Sequence, residues 1–148
     1  MSKGQDGYLN GAVVNDNGGE AKLYLIDGAT WTNASTNGET GVVSHISEFK
    51  GTDIGSGLKD AQIVQTADSG DIIIDTYKNS ATVKYSYDEN SPTIFQGGSV
   101  VINNAVKGSK ITLYTDYSTA INKGNLQTVM NSLANKLYYE GYKYVYNT

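Results

Sequence analysis

Two aspartates in the run DIIID, Asp71 and Asp75, form the carboxylate pair best placed by sequence for acid–base chemistry. On a strand they share a face but stand about 13 Å apart, at ~3.3 Å per residue. Glycosidase carboxylates need about 5–9.5 Å. The spacing fits a strand with Ile72 and Ile74 in a core and both aspartates in water. His45 is the single histidine, in VVSHIS, beside Ser44 and near Ser47. No serine sits in a G-x-S-x-G elbow. One histidine without cysteine makes no common zinc ligand set. His45 therefore reads as a polar strand residue. NDNGGE (15–20) gathers oxygens around glycines but lacks the spacing of a calcium loop. GTDIGSG lacks the Gly-Lys-Ser/Thr of a phosphate loop, and NAS (33–35) fits a glycosylation sequon that matters only in a eukaryotic secretory setting. The expectation is no catalytic residue, no metal and no cofactor.

Binding chemistry is better represented. Of the 12 tyrosines, Tyr138, Tyr139, Tyr142, Tyr144 and Tyr146 crowd the C-terminus, and Tyr85 and Tyr87 share a strand face. Flat rings with little rotamer entropy to lose suit sugars and protein partners. Trp31, Tyr85, Tyr87, Tyr142 and Tyr144 are the binding candidates. The competing reading is aromatic packing between helix and sheet.

Charge narrows the partners. All 11 cations are lysines, the net charge is −4 and the pI is near 4.8. Arginine, the usual fork for phosphate and guanine, is absent. Nucleic acid and anionic membrane surfaces are poor partners. No apolar run reaches the 18 residues of a membrane span, and MSKGQDGYLNG, with no apolar run behind its lysine, does not read as a secretory leader. No cysteine means no disulfide, which leaves the compartment open.

The elements that would position these residues are short. Strands read at 8–14, 20–26, around Trp31, 42–46, 62–65, 71–75, 81–87, 93–95, 99–102 and 110–115. Gly- and Asn-rich turns separate them, and 51–60 is loop-like. Such spacing indicates a sandwich, a barrel or a β-solenoid. GAVVNDNGGEAKLYL (11–25) and GSVVINNAVKGSKITLYT (98–115) hint at stacked units. Alternation puts Ile72, Ile74, Val83 and Leu113 inward, with Asp71, Asp75 and Lys84 outward. The last element differs: Leu126, Val129, Met130, Leu133 and Leu137 form one helical stripe from Asn125 to about Glu140. YKYVY follows as a strand candidate.

LNGAVVNDNGGEAKLYLIDGATWTN, SHISEFKG, ITLYTD and NSLANKLYY together resemble a module of large autotransporter-like, β-strand-repeat adhesins of diderm bacteria. The resemblance covers roughly Leu9 to Tyr139. It implies a mainly β fold, a right-handed parallel β-helix (solenoid) with the C-terminal amphipathic α-helix packed on its end. The organisation expected is one module over 1–148: β-coils over 8–115, a capping helix over 122–140 and a trailing strand over 142–147. The chain would be a piece of a longer protein. The function implied is non-enzymatic: a stiff, extracellular stalk segment on the bacterial cell surface, serving adhesion. Its partners would be a host glycan or protein and neighbouring modules of the same chain, with no nucleic acid and no direct membrane insertion. Two other readings stand beside it: a carbohydrate-binding module using exposed Tyr and Trp, and, third in order, a polysaccharide-degrading β-helix.

Overall fold

Apolar–polar alternation along short β-rich segments dictates strands with one buried face. The computed structural model describes residues 8–14, 20–34, 39–88, 91–115, 126–140 and 142–143. Its strands are β1 (Tyr8–Asn10), β2 (Lys22–Tyr24), β3 (Thr30–Asn33), β4 (Ser44–Lys50), β5 (Ala61–Gln65), β6 (Ile72–Lys78), β7 (Ser80–Tyr85), β8 (Tyr87–Asp88), β9 (Ser91–Phe95), β10 (Val100–Ala105), β11 (Lys110–Thr115), β12 (Leu137–Tyr139) and β13 (Tyr142–Lys143). Among the described residues there is one helix, α1, Leu126–Ala134.

The strands build two parallel sheets, neither closed into a barrel. Sheet I has the order β1-β3-β5-β7-β11, and sheet II the order β2-β4-β6-β10-β12-β13. From β2 to β7 the chain alternates between the sheets. Each return lays a strand parallel to the previous one in that sheet. The β8–β9 hairpin is an antiparallel excursion, after which β10 and β11 resume the alternation. Parallel sheets need long connections, and alternation supplies them without crossover helices.

Register places like positions in rows. In sheet II, Ser44, Ile72, Val100 and Leu137 pair in succession, and so do Ile46, Ile74, Ile102 and Tyr139. A third row is Phe49, Tyr77 and Ala105, where the first two rings stack with centroids 5.5 Å apart. Sheet I answers with Trp31, Ile63, Val83 and Leu113. Inner members of both sheets join one core. Each fully buried side chain there stabilises by about 1.5–3 kcal/mol. Ile72, Ile74 and Val83 are buried as alternation required, and Asp71 and Lys84 face out. Leu113 is only half-buried, because β11 is the edge of sheet I.

A polar seam runs up the stack where sheet I hands over to sheet II. Asn33, Gln65 and Tyr85 occupy matching positions at the ends of β3, β5 and β7. The Asn33 amide donates to Gln65 Oε1 at 2.9 Å and to the Gly70 carbonyl at 3.2 Å. Gln65 Nε2 donates to the carbonyls of Gly70 and Gly98, each at 3.0 Å. The Tyr85 hydroxyl donates to Gly98 O at 2.8 Å, and Ser44 Oγ donates to Asn33 Oδ1 at 3.1 Å. Ser69 Oγ donates to the Asn33 carbonyl. The turns aim carbonyls inward, and a buried carbonyl without a donor is costly. The turns also touch. A Cβ on Gly70 would collide with the carbonyls of Gly41 and Val42, and one on Gly98 with the backbone of Gly70 and Asp71. Only hydrogen fits at either place. The opposite handover is sharper: Asn79 alone joins β6 to β7, at φ 71°, with Nδ2 donating to Asp53 Oδ1 at 2.7 Å. Asparagine tolerates that left-handed conformation.

Two expectations change. The helix stops at Ala134, short of Glu140, and Leu137 lies in β12. Leu137, Tyr138 and Tyr139 gain parallel partners in Val100, Val101 and Ile102, and this pairing outweighs continuation of the helical stripe. Met130 is half-buried and Leu133 is 2% exposed; the side chains of Leu126 and Val129 lie outside the described residues. Of the trailing strand expected over 142–147, Tyr142–Lys143 pairs antiparallel to β12, and 144–147 lie outside the described residues. The suggested repeat does not superpose either: Lys22-Leu23-Tyr24 is in sheet II, whereas Thr112-Leu113-Tyr114 is in sheet I. The repeat present is that of β4, β6 and β10.

Candidate functional site

Indole and phenol rings carry a polar handle on an apolar body, so they are buried only where that handle finds an acceptor. Two of the expected binding residues meet this condition. Trp31 is completely buried, with Nε1 donating to the Gly11 carbonyl at 2.7 Å. Tyr85 is 2% exposed, with its hydroxyl in the polar seam. Neither can stack on a ligand, and both are corrected to core residues. Burial raises the pKa of the Tyr85 phenol well above the usual value, and burial does the same at Tyr77, whose hydroxyl donates to Lys110 O at 2.6 Å. Tyr87 belongs to the separate strand β8. The side chains of Tyr87 and Tyr142, and the whole of Tyr144, lie outside the described residues.

The acidic and histidine candidates also find places. Asp71 is exposed and accepts the Ser99 amide at 2.8 Å. Asp75 stands on the outer face of sheet II, where Oδ2 meets His45 Nε2 at 3.0 Å and Oδ1 accepts Asn103 Nδ2 at 3.1 Å. The two aspartates thus serve different neighbours. Ser44 turns away from His45 into the core. Asn33, the sequon asparagine, is fully buried with its amide in use, so no glycan can be attached there in the folded chain. Residues 15–19 of NDNGGE lie outside the described residues. Among the described residues no three His, Cys, Asp or Glu side chains cluster as metal ligands.

Two accessible rows lie on the outer faces of the sheets. On sheet II the row His45, Ile73, Val101 and Tyr138 runs beside Asp75 and Asn103, and Tyr138 is 37% exposed. On sheet I the outward row is Thr32, Val64, Lys84 and Tyr114. Val64, Lys84, Tyr85, Ser86 and Tyr114 line a cleft of about 270 Å³ there. Tyr114 is 47% exposed, and Lys84 Nζ lies 5.6 Å from the centroid of its ring. Sequence alone offered Lys84 as an outward residue but gave no reason to join it to Tyr114. The two are far apart in the chain, and only the β7–β11 register brings them side by side.

A second lysine has a structural post. Lys136, in the turn between α1 and β12, donates to the Gly97 carbonyl at 2.7 Å and sits 6.0 Å from the Tyr85 ring centroid. Partial burial lowers its pKa, with the Asp71 charge opposing. It ties the last turn to the polar seam.

A second cavity, about 280 Å³, lies between β11 and α1, lined by Ile111, Leu113, Met130, Leu133 and Leu137. Its apolar lining marks where the helix meets the end of sheet I.

Comparison with family models, with curated proteins and with solved structures finds no match for this chain.

Proposed function

We propose that this chain is a non-enzymatic structural and adhesive module of a bacterial cell-surface protein, a right-handed parallel β-helix acting as a stiff stalk segment. The observation that carries the reading is parallel pairing without interruption from β2 through β4, β6 and β10 to β12. Each layer of such a stack is hydrogen-bonded along one axis and contacts its neighbours, the construction of a solenoid. Side-chain rows of matching position and the polar seam hold successive layers in register. The helix α1 touches β9 and β11 and buries Leu133. In this reading it caps the sheet I end of the stack or joins it to a following module. The outer faces are then free to meet a host glycan or protein. The net negative charge and the lack of arginine weigh against nucleic acid.

A tandem construction tests the stalk. Two copies joined head to tail are expected to scatter X-rays as one rod of about twice the length, and to melt above the single copy, because a shared interface adds nearest-neighbour stability. Two bodies tumbling independently, with unchanged melting, overturn it. A second reading, a carbohydrate-binding module, is favoured by the exposed rings of Tyr114 and Tyr138, although not by the buried Trp31 and Tyr85.

A further inference from the structure

We propose that the cavity between β11 and α1 binds a small, uncharged apolar molecule, about the size of two fused rings, between the end of sheet I and the helix. The site goes beyond the stalk reading and does not depend on it.

The cavity follows from the order of the strands. Leu9, Trp31, Ile63, Val83 and Leu113 form one inward row across sheet I. Among the described residues no strand pairs with β11 on its other side, so Leu113 ends the row half-buried. Sheet II goes further. β12 follows β11 in the chain and adds Leu137 to the row of Ile72 and Val100, and β13 lies beyond it. Across from β12, where sheet I would carry its next inward residue, the chain supplies α1. A helix does not repeat at the spacing of strands, so it cannot continue the row position for position. The space left is about 280 Å³, lined by Ile111 and Leu113 of β11, Met130, Leu133 and Ala134 of α1, and Leu137 of β12. Leu133, Ala134 and Leu137 are a buried wall. Ile111, Leu113 and Met130 are half-buried and mark the side of entry.

The lining selects the occupant. A held water needs two to four polar partners. Thr112 is the one lining residue with a polar side chain, and alternation turns that hydroxyl to the outer face. No ionisable side chain lines the space, so a charged guest would lose its hydration without compensation. An added peptide strand does not fit. It would need about 4.8 Å to β11 and a further ~5 Å to the helix axis, whereas Cα atoms of α1 already come within 8 Å of β11. A compact apolar molecule meets every condition. A cavity of ~150 Å³ lined by aliphatic side chains holds benzene, so about 280 Å³ holds about ten carbons by proportion. Met130 adds an adaptable wall, because a thioether chain follows the outline of a ring at little cost. A guest in this position touches β11, α1 and β12 together, and so ties the helix to the end of the stack.

The test is a titration of the whole chain followed by backbone amide chemical shifts and by melting. The probes are indole as the uncharged bicyclic ring, benzene as a smaller ring, and indole-2-carboxylate as the charged counterpart. The expected result is saturable shifts at Ile111, Leu113, Met130, Leu133 and Leu137 with indole, about tenfold weaker binding of benzene, and no saturation with the carboxylate. Melting should rise with indole concentration, because the guest binds only the folded chain. Ala134→Met puts a flexible side chain into the space and should abolish the indole response in a chain that still melts cooperatively. Leu113→Phe, at a half-buried position, makes the same test should Ala134→Met fail to fold. No saturable shift with indole in the millimolar range overturns the site. So does equal binding of the carboxylate, so do shifts centred on the outer faces of the sheets, and so does undiminished binding to a folded filling variant. A folded chain that binds no indole removes this site and leaves the stalk reading standing. Tandem copies that form no rod do the reverse.

Discussion

Gly98→Ala is expected to cost at least about 3 kcal/mol, because the methyl group meets backbone that cannot repack. The Cβ would fall on the peptide between Gly70 and Asp71, one layer down the stack. Gly70→Ala should behave alike, through the carbonyls of Gly41 and Val42. Neither glycine has a positive φ, so the cost is spatial and not conformational. Gly55→Ala is the matching control: its φ is +82°, but nothing stands within 4 Å of a Cβ there. That change should cost about 1–2 kcal/mol from the left-handed backbone alone. Against a total stability of about 5–15 kcal/mol, the difference is large in chemical denaturation. Equal midpoints for Gly98→Ala and Gly55→Ala would show that the layers do not touch at this corner.

Leu133→Asp is the second large effect. Leu133 is 2% exposed and belongs to the core cluster, on a helix that contacts β9 and β11. Removing its burial forfeits about 1.5–3 kcal/mol, and placing a carboxylate there adds a desolvation cost. A total loss of about 3–5 kcal/mol is expected. The end of sheet I would then expose Ile111 and Leu113 beside an edge strand, a template for pairing with another chain. Sedimentation should show self-association that rises with protein concentration. A monomeric variant with unchanged melting would mean that α1 does not cover the stack.

The inward–outward sense of single strands was legible, because it depends only on local alternation. Ile72, Ile74 and Val83 went in, and Asp71 and Lys84 out. Parallel pairing was not legible from alternation and entered the sequence reading only through the resemblance, because some rows join residues of unlike type. Phe49, Tyr77 and Ala105 share one row, and Asn33, Gln65 and Tyr85 share another. Nothing in composition relates them; shared position in the layer does. The helix was read correctly at its centre and wrongly at its end. Leu137 continued the apolar stripe, but the stripe does not reveal that Val100 has an open edge waiting. Aromatic residues misled for a related reason. Trp31 and Tyr85 look like surface platforms until the carbonyls of Gly11 and Gly98 are found at their polar tips. The cleft at Lys84 and Tyr114 needed the register of β7 and β11, which is a long-range property of the fold.

The central claim is that this chain is a stack of parallel strands alternating between two sheets. Inter-strand nuclear Overhauser effects in solution test it most directly, because antiparallel pairs bring α-protons of opposed residues together and parallel pairs do not. The account predicts amide-to-α contacts linking Ile72 with both Ser44 and Val100, and Val83 with both Ile63 and Leu113. It also predicts no strong α–α contacts between β6 and β7, which are neighbours in sequence but lie in different sheets. Strong α–α contacts between β6 and β7, with none between Ile72 and Val100, would contradict it and make the chain an antiparallel meander.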